Sequence, residues 1–174
     1  MVEAAAASLL LACGGNVVAV TRRDPALMQV LKATGCEVVI HDHADDGMGT
    51  SIAAGVAASA GASGWVIALG DMPSIRVDTV MTVVDALHAG ARIVVPVFGG
   101  KRGHPVGFSA DYLARLLALT GDTGAREILT TDASLIEEID VDDAGIFSDI
   151  DTPADLKRQT FAEPHVSRED SSDH

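Results

Sequence analysis

The sequence predicts an α/β fold built on a largely parallel sheet, and three observations predict it. Helical and β-branched segments alternate over residues 2–40 in the order α-β-α-β. The apolar run Trp65-Val-Ile-Ala-Leu69 lies between helical patterns and reads as a strand buried on both faces of such a sheet. Hydrophobic residues make up 48% of the chain but aromatic ones only 3%, so Ala, Val, Leu and Ile must build the core. The 174 residues suit one domain with a substantial core.

Each element has its own reason. Val2 to Ala12 is rich in Ala and Leu, which favours a helix, and Gly14-Gly15 stops it. Asn16 to Val20 is β-branched and reads as a strand. Asp24-Pro25 opens a helix with Asp as N-cap and Pro at the first helical position; Leu27, Val30 and Leu31 form its apolar face and Gly35 ends it. Glu37 to Ile40 is the next strand, and Thr50 to Ser59 the next helix. Val77 to His88 repeats Val80, Val83, Val84 and Leu87 at helical spacing. Arg92 to Val97 reads as a strand, and Val106 to Phe108 resumes extended structure after a hairpin-like excursion. Asp111 to Leu119 is helical, and Asp122 or Thr123 can cap a further helix carrying Arg126 in its first turns. Leu135 to Ile139 is a strand, and Asp140 to Asp143 reads as a solvated acidic stretch. From about Phe161 the chain is polar, charged and expected to be disordered.

The run at Trp65 ends on Gly70-Asp71-Met72-Pro73. Gly70 permits a sharp exit and Pro73 stops the strand, which leaves Asp71 at its carboxyl end. Ligands of open α/β sheets bind in the crevice at those ends. A carboxylate there suits Mg²⁺, which takes one or two carboxylates plus substrate phosphates and water. The alternative is that Asp71 caps the following helix. Gly47-Met-Gly49 precedes a helix, where glycines let a backbone approach a ligand and helix N-termini favour anions; small residues there equally permit close helix–sheet packing. Gly99 to Pro105 is glycine-rich and holds the only cluster of Lys, Arg and His, a local reversal in an acidic chain. The alternative is a solvated turn. His41, His43 and three aspartates read as an acidic loop rather than a zinc site, because the ligand spacing is too short.

Composition excludes some functions. Twelve Lys and Arg against 25 Asp and Glu give a net charge of −13, which argues against nucleic-acid or anionic-membrane surfaces. Two cysteines, Cys13 and Cys36, make no disulfide framework, so a reduced, cytoplasmic setting is expected. Leu10-Leu-Ala-Cys13 has the look of a lipoprotein cleavage box, but no Lys or Arg precedes it, so it reads as a helix end.

Five segments in order then carry a resemblance: Gly47-Met-Gly-Thr-Ser-Ile52, Gly70-Asp-Met-Pro73, Gly103-His-Pro-Val-Gly107, Asp122-Thr-Gly-Ala-Arg-Glu127 and Asp149-Ile-Asp-Thr-Pro-Ala-Asp-Leu156. Together they resemble the MobA-like nucleotidyltransferases, and within them the molybdenum cofactor cytidylyltransferases, over residues 2–158. The resemblance implies a Rossmann-like, GT-A-type three-layer sandwich. It implies transfer of a nucleotidyl group from CTP or GTP to the phosphate of a molybdopterin-type acceptor, with pyrophosphate released. Asp71 would bind Mg²⁺, with Asp151 as the second carboxylate. Gly47, Gly49 and Ser51 would line the nucleotide pocket, and Gly103, His104 and Pro105 would face the acceptor. Lys101 and Arg102 are candidates for countering acceptor charge, and a molybdoenzyme or chaperone is the implied protein partner.

The sequence departs from the family pattern at its start. Family members open with a strand and a glycine-rich loop of the form Leu-Ala-Ala-Gly-x-Ser-x-Arg-Met-Gly, whereas Met1 here lies in what resembles the following helix. In a Rossmann-like order that strand lies between Val17–Val20 and Trp65–Leu69. Those two strands are therefore expected either to leave a gap, filled by another segment or chain, or to close up directly. A truncated, non-catalytic module that binds nucleotide, pterin or a partner is the alternative function. A sugar-nucleotide enzyme of the same fold is a third.

Overall fold

The computed structural model describes residues 2–43 and 46–147. Along the chain run α1 (Val2–Ala12), β1 (Val18–Thr21), α2 (Pro25–Thr34), β2 (Glu37–Ile40), α3 (Met48–Ala58), β3 (Gly64–Ile67) and α4 (Val77–His88). Then follow β4 (Ile93–Phe98), β5 (Lys101–Arg102), β6 (Val106–Ser109), α5 (Leu113–Leu117), α6 (Arg126–Thr131) and β7 (Ile136–Asp140). Short 3₁₀ turns precede α5 and β7, and a third, Ala144–Ile146, follows β7. Among these residues no helix is long and apolar enough to cross a membrane.

The strands form two sheets. β1 and β2 pair in parallel. The larger sheet runs β3-β6-β4-β5, with β7 on β4. β6 is antiparallel to both β3 and β4, while β7 is parallel to β4. β3, β4 and β7 therefore share one direction; β6 is inserted between β3 and β4, and β5 pairs with the end of β4. The expected α/β architecture is present, but its sheet is divided. Trp65 is buried as expected, yet among the described residues its strand pairs on one edge only, and that partner is antiparallel.

β4 is the buried centre: Ile93, Val94 and Val95 are almost wholly inaccessible. Ile93 and Val95 pack with Trp65, Phe108, Tyr112 and Leu116 in the main core. A smaller cluster of Ala6, Leu31 and Cys36 joins α1, α2 and the end of α2 to the two-stranded sheet. A third, Met72, Ile75 and Val80, seats α4 against Leu9 and Ala12 of α1.

Local chemistry sets the ends. Asp24 caps α2 by accepting from the Ala26 and Leu27 N–H groups, at 3.0 and 3.1 Å. Gly35 closes that helix at φ +102°, a left-handed conformation that glycine adopts without a Cβ penalty. Several boundaries differ from expectation: β3, expected over Trp65–Leu69, ends at Ile67, and α5, expected over Asp111–Leu119, is Leu113–Leu117. α3 starts at Met48, so Gly49 lies inside the helix. α6 starts at Arg126 after Ala125, so neither Asp122 nor Thr123 caps it; the turn closes instead through Arg126 N–H to the Thr123 carbonyl at 3.1 Å.

Candidate active site at the carboxyl rim of the sheet

The turn after β3 is anchored on both flanks. Met72 and Ile75 are 2% and 4% exposed and hold it to the α1–α4 cluster. The Ser8 hydroxyl donates to the Ile75 carbonyl at 3.1 Å, which ties α1 to the same turn. Asp71 is left exposed at the carboxyl end of the strand. The capping alternative for it falls, because α4 begins at Val77 with Arg76 as N-cap. Among the described residues the Asp71 carboxylate makes no hydrogen bond or ion pair with protein. It lines a cavity of about 1680 Å³ together with Ser51, Val20 and Thr21.

His104 stands close enough to Asp71 to feel its charge. Burial holds the imidazole pKa below the ordinary histidine value, and the neighbouring carboxylate partly opposes that shift. Near neutral pH the ring is therefore uncharged, with one nitrogen donating and the other accepting.

The position of His104 is set by the end of the chain's described part. Its N–H donates to the Ile146 carbonyl at 2.8 Å, and Gly103 N–H donates to the Pro96 carbonyl at 2.9 Å. A Cβ at Gly103 would lie 2.5 Å from the Ile146 carbonyl oxygen, so glycine is required for this approach. Pro105 is buried beside it. Ile146 is fixed in turn through Asp143. That carboxylate accepts from the Thr79 hydroxyl at 2.6 Å, from Arg76 N–H at 3.0 Å and from Gly145 N–H at 2.9 Å. Asp143 is 5% exposed, so the reading of this stretch as solvated fails at its last residue. The Asp143-x-Gly145 spacing, an Asx turn, was the available signal. Asp149, Asp151 and the tail from Phe161 lie outside the described residues.

Gly47 and Gly49 are buried where α3 meets the loop before α6. Gly49 N–H donates to the Gly121 carbonyl at 2.8 Å. A Cβ on Gly47 would sit 2.2 Å from Gly121 C, and one on Gly49 would sit 2.7 Å from the Thr120 carbonyl. Backbone packing thus accounts for both glycines. Ser51, one turn beyond Gly47, lines the cavity with Asp71, as do Met48 and Ile52 of the same motif.

The basic turn divides. Arg102 is engaged with Glu138, its Nε donating at 2.6 Å. Lys101 is exposed and has no ion-pair partner among the described residues, and the same holds for Arg126. The histidine loop shows His43 3.7 Å from Asp46, both exposed. Among the described residues no group of three or more His, Cys, Asp or Glu side chains could hold a metal ion.

The sequence profile of the MobA-like NTP transferase domain matches residues 1–138. The chain belongs to that family. Two curated relatives bear on it. Purine catabolism protein PucB of Bacillus subtilis is 37% identical over 113 residues, covering 63% of this chain and 54% of PucB. The matched stretch thus spans about half the length of that relative. Nicotine blue oxidoreductase of Paenarthrobacter nicotinovorans is 28% identical over 167 residues, covering 91% of this chain and 81% of the relative. Among solved structures, Rv0371c of Mycobacterium tuberculosis H37Rv in complex with manganese aligns with a TM-score of 0.65 at 23% identity, over 88% of this chain and 83% of that one. That likeness shows a shared Rossmann-like fold.

Proposed function

We propose that this chain is a divalent-metal-dependent nucleotidyltransferase that moves CMP or GMP from CTP or GTP to the phosphate of a molybdopterin-type acceptor. The observation that carries this reading is Asp71: an exposed carboxylate just past the carboxyl end of β3, without a hydrogen bond or ion pair among the described residues, lining a cavity with Ser51 and near a neutral His104. Family membership supports the reaction class. The manganese bound to Rv0371c, a protein of the same fold, supports a divalent ion.

The donor chemistry fits Mg²⁺. Asp71 supplies one hard oxygen ligand, and substrate phosphates and water supply the rest. Asp151 is the second carboxylate of this reading. It lies outside the described residues, and its role here rests on the family resemblance. When bound, the ion would withdraw charge from the nucleotide phosphates.

The chain's own side chains position and neutralise. An acceptor phosphate oxygen attacks the α-phosphorus and forms a new P–O bond as the α–β bridging P–O bond breaks and pyrophosphate leaves. No side-chain nucleophile is needed. Ser51 borders the nucleotide end of the cavity. Gly103, His104 and Pro105 border the acceptor, with His104 offering an uncharged donor and acceptor. Lys101 supplies a mobile cation for acceptor charge, whereas Arg102 is held by Glu138.

Calorimetry of CTP and GTP binding with and without Mg²⁺, for the wild type and Asp71→Ala, tests the metal site. The wild type is expected to bind nucleotide more tightly with Mg²⁺, and the variant to lose that gain. Equal Mg²⁺-dependent gains would remove Asp71 from the site. Pyrophosphate release with a molybdopterin-type acceptor tests the transfer. The division of the strands into two sheets, with β1 and β3 in different ones, favours one other reading, a binding module without catalysis. Nucleotide binding with no pyrophosphate release for any acceptor would select that reading.

A further inference from the structure

Asp143 is a buried carboxylate that the proposed transfer does not use. It is 5% exposed, and no ion pair holds it among the described residues. The Arg76 guanidinium is turned elsewhere, to the Asp142 carbonyl at 3.1 Å and to Asp78 at 3.4 Å. The three donors to Asp143 are uncharged: the Thr79 hydroxyl and the Arg76 and Gly145 N–H groups. Taking a carboxylate out of water without a cation is costly, and well-packed apolar residues often give equal or greater stability. Its burial calls for a reason beyond stability.

The donors divide by the side of the site they support. Arg76 and Thr79 stand at the start of α4, directly after the turn that bears Asp71, where Met72 and Ile75 are buried. Gly145 leads into Ile146, which is wholly buried and receives the His104 N–H at 2.8 Å. Neither the Asp71 carboxylate nor the His104 imidazole makes a side-chain hydrogen bond among the described residues. Backbone support alone therefore sets where the two groups stand, and the Asp143 carboxylate joins the two supports.

We propose that Asp143 is a positioning residue, whose carboxylate fixes the His104 imidazole relative to Asp71. In the proposed transfer, on which this consequence rests, it acts on the rate of the chemical step. A misplacement of about 1 Å can cost roughly 100-fold in rate. α3 and Ser51 make no bond to Asp143, so nucleotide binding is left largely alone.

Four variants test this. Thr79→Val removes one donor and touches neither Ile146 nor His104. Asp143→Asn keeps the shape but cannot accept from all three donors. Thr79→Ser keeps the hydroxyl. Asp132→Asn, ahead of β7 at the other end of the sheet, controls for a general loss of stability. Should Asp143→Asn fail to fold, the milder Thr79→Val carries the test.

Amide exchange at His104 is read in each folded protein without ligand. Thr79→Val and Asp143→Asn are expected to speed it by about 10-fold or more through local opening, and Thr79→Ser to retain the protection. Asp132→Asn is expected to speed exchange in β4 but not at His104. Unchanged His104 exchange in Thr79→Val, or equal acceleration by Asp132→Asn, would overturn the proposal.

Pyrophosphate release from CTP or GTP with a molybdopterin-type acceptor is the second readout. Thr79→Val and Asp143→Asn are expected to lower kcat about 10-fold or more with the nucleotide KM within about 3-fold of wild type, and Thr79→Ser to keep kcat. A raised KM with kcat unchanged would overturn the positioning role. Absence of release from the wild type would remove the proposed transfer instead, and His104 exchange would then decide the geometric claim by itself.

Discussion

The Thr79 hydroxyl donates a 2.6 Å hydrogen bond to Asp143 across 64 residues of sequence. Both residues are buried, Thr79 4% and Asp143 5% exposed. The bond joins α4 to the segment that follows β7 and fixes the carboxyl rim from within. Losing one partner leaves the other with unmet hydrogen-bonding capacity, which costs about 1–3 kcal/mol. Thr79→Val is expected to destabilise the protein by about 1–2 kcal/mol. Asp143→Ala, which also strips the Arg76 and Gly145 N–H groups of their acceptor, should cost more, about 3–4 kcal/mol. Urea unfolding measures both, and a larger loss for Thr79→Val would contradict the arrangement.

Gly103→Ala drives a methyl group into the Ile146 backbone and side chain. Overpacking of this kind typically costs 1–3 kcal/mol. The expected loss is about 2–3 kcal/mol, with the His104 ring resonances displaced in NMR spectra. Gly47→Ala adds backbone strain at φ +110° to a contact with Gly121 and should be at least as damaging. An alanine at Gly99, also at positive φ but with open space around it, is the milder control.

His104 gives the site a pH signature. Burial lowers its pKa in the folded protein, so the unfolded chain binds the proton more readily. The stability held by neutral His104 is complete above the unfolded value, near 6.5, and falls as pH drops from there toward the folded pKa. His104→Gln should flatten that part of the stability–pH curve. In NMR titrations the ring should titrate below the usual range. Asp71→Asn, which removes the opposing charge, should lower its pKa further, and Mg²⁺ bound at Asp71 should do the same. An upward shift on adding Mg²⁺ would place the ion elsewhere.

Asp132 carries the acid limb. Its carboxylate accepts from Arg115 Nη1 at 2.6 Å and from the Tyr112 hydroxyl at 2.7 Å, and these bonds hold its pKa below the ordinary value. The stability they give is present above the unfolded carboxyl pKa and is lost as pH falls through the folded one. Burial, reinforced by Asp132, pushes the Tyr112 pKa up, so this contact also weakens as pH rises past the usual tyrosine range. Asp132→Asn is expected to flatten the acid limb below about pH 4, followed by circular dichroism.

The legible features were those carried by local chemistry. The Asp24-Pro25 start and Gly35 stop of α2 and the Val80 and Val83 face of α4 stand where periodicity and capping place them, while the apolar Trp65 run gives a strand that stops at Ile67, short of Leu69, and is half-buried apart from Trp65. Asp71 could be placed at a strand end because Gly70 and Pro73 punctuate the chain there. What was illegible depends on distant partners. Nothing near Gly47 or Gly103 in sequence announces Gly121 or Ile146 as the surface each one meets. A run of three acidic residues in four gives no hint that the last is buried beneath Thr79. The β6 strand reads as extended, but its insertion between β3 and β4 is a question of long-range pairing, which short-range pattern does not encode.

The Gly145 Cα faces the Ser74 carbonyl so closely that a Cβ there would come within 2.3 Å of the oxygen. The loop bearing Asp71 and the segment bearing Ile146 thus meet backbone to backbone, and the Thr79–Asp143 bond closes the same seam. Because the Ile146 carbonyl also receives the His104 N–H, one seam sets the separation of the carboxylate and the imidazole, and a bulky residue at Gly145 would disturb both at once.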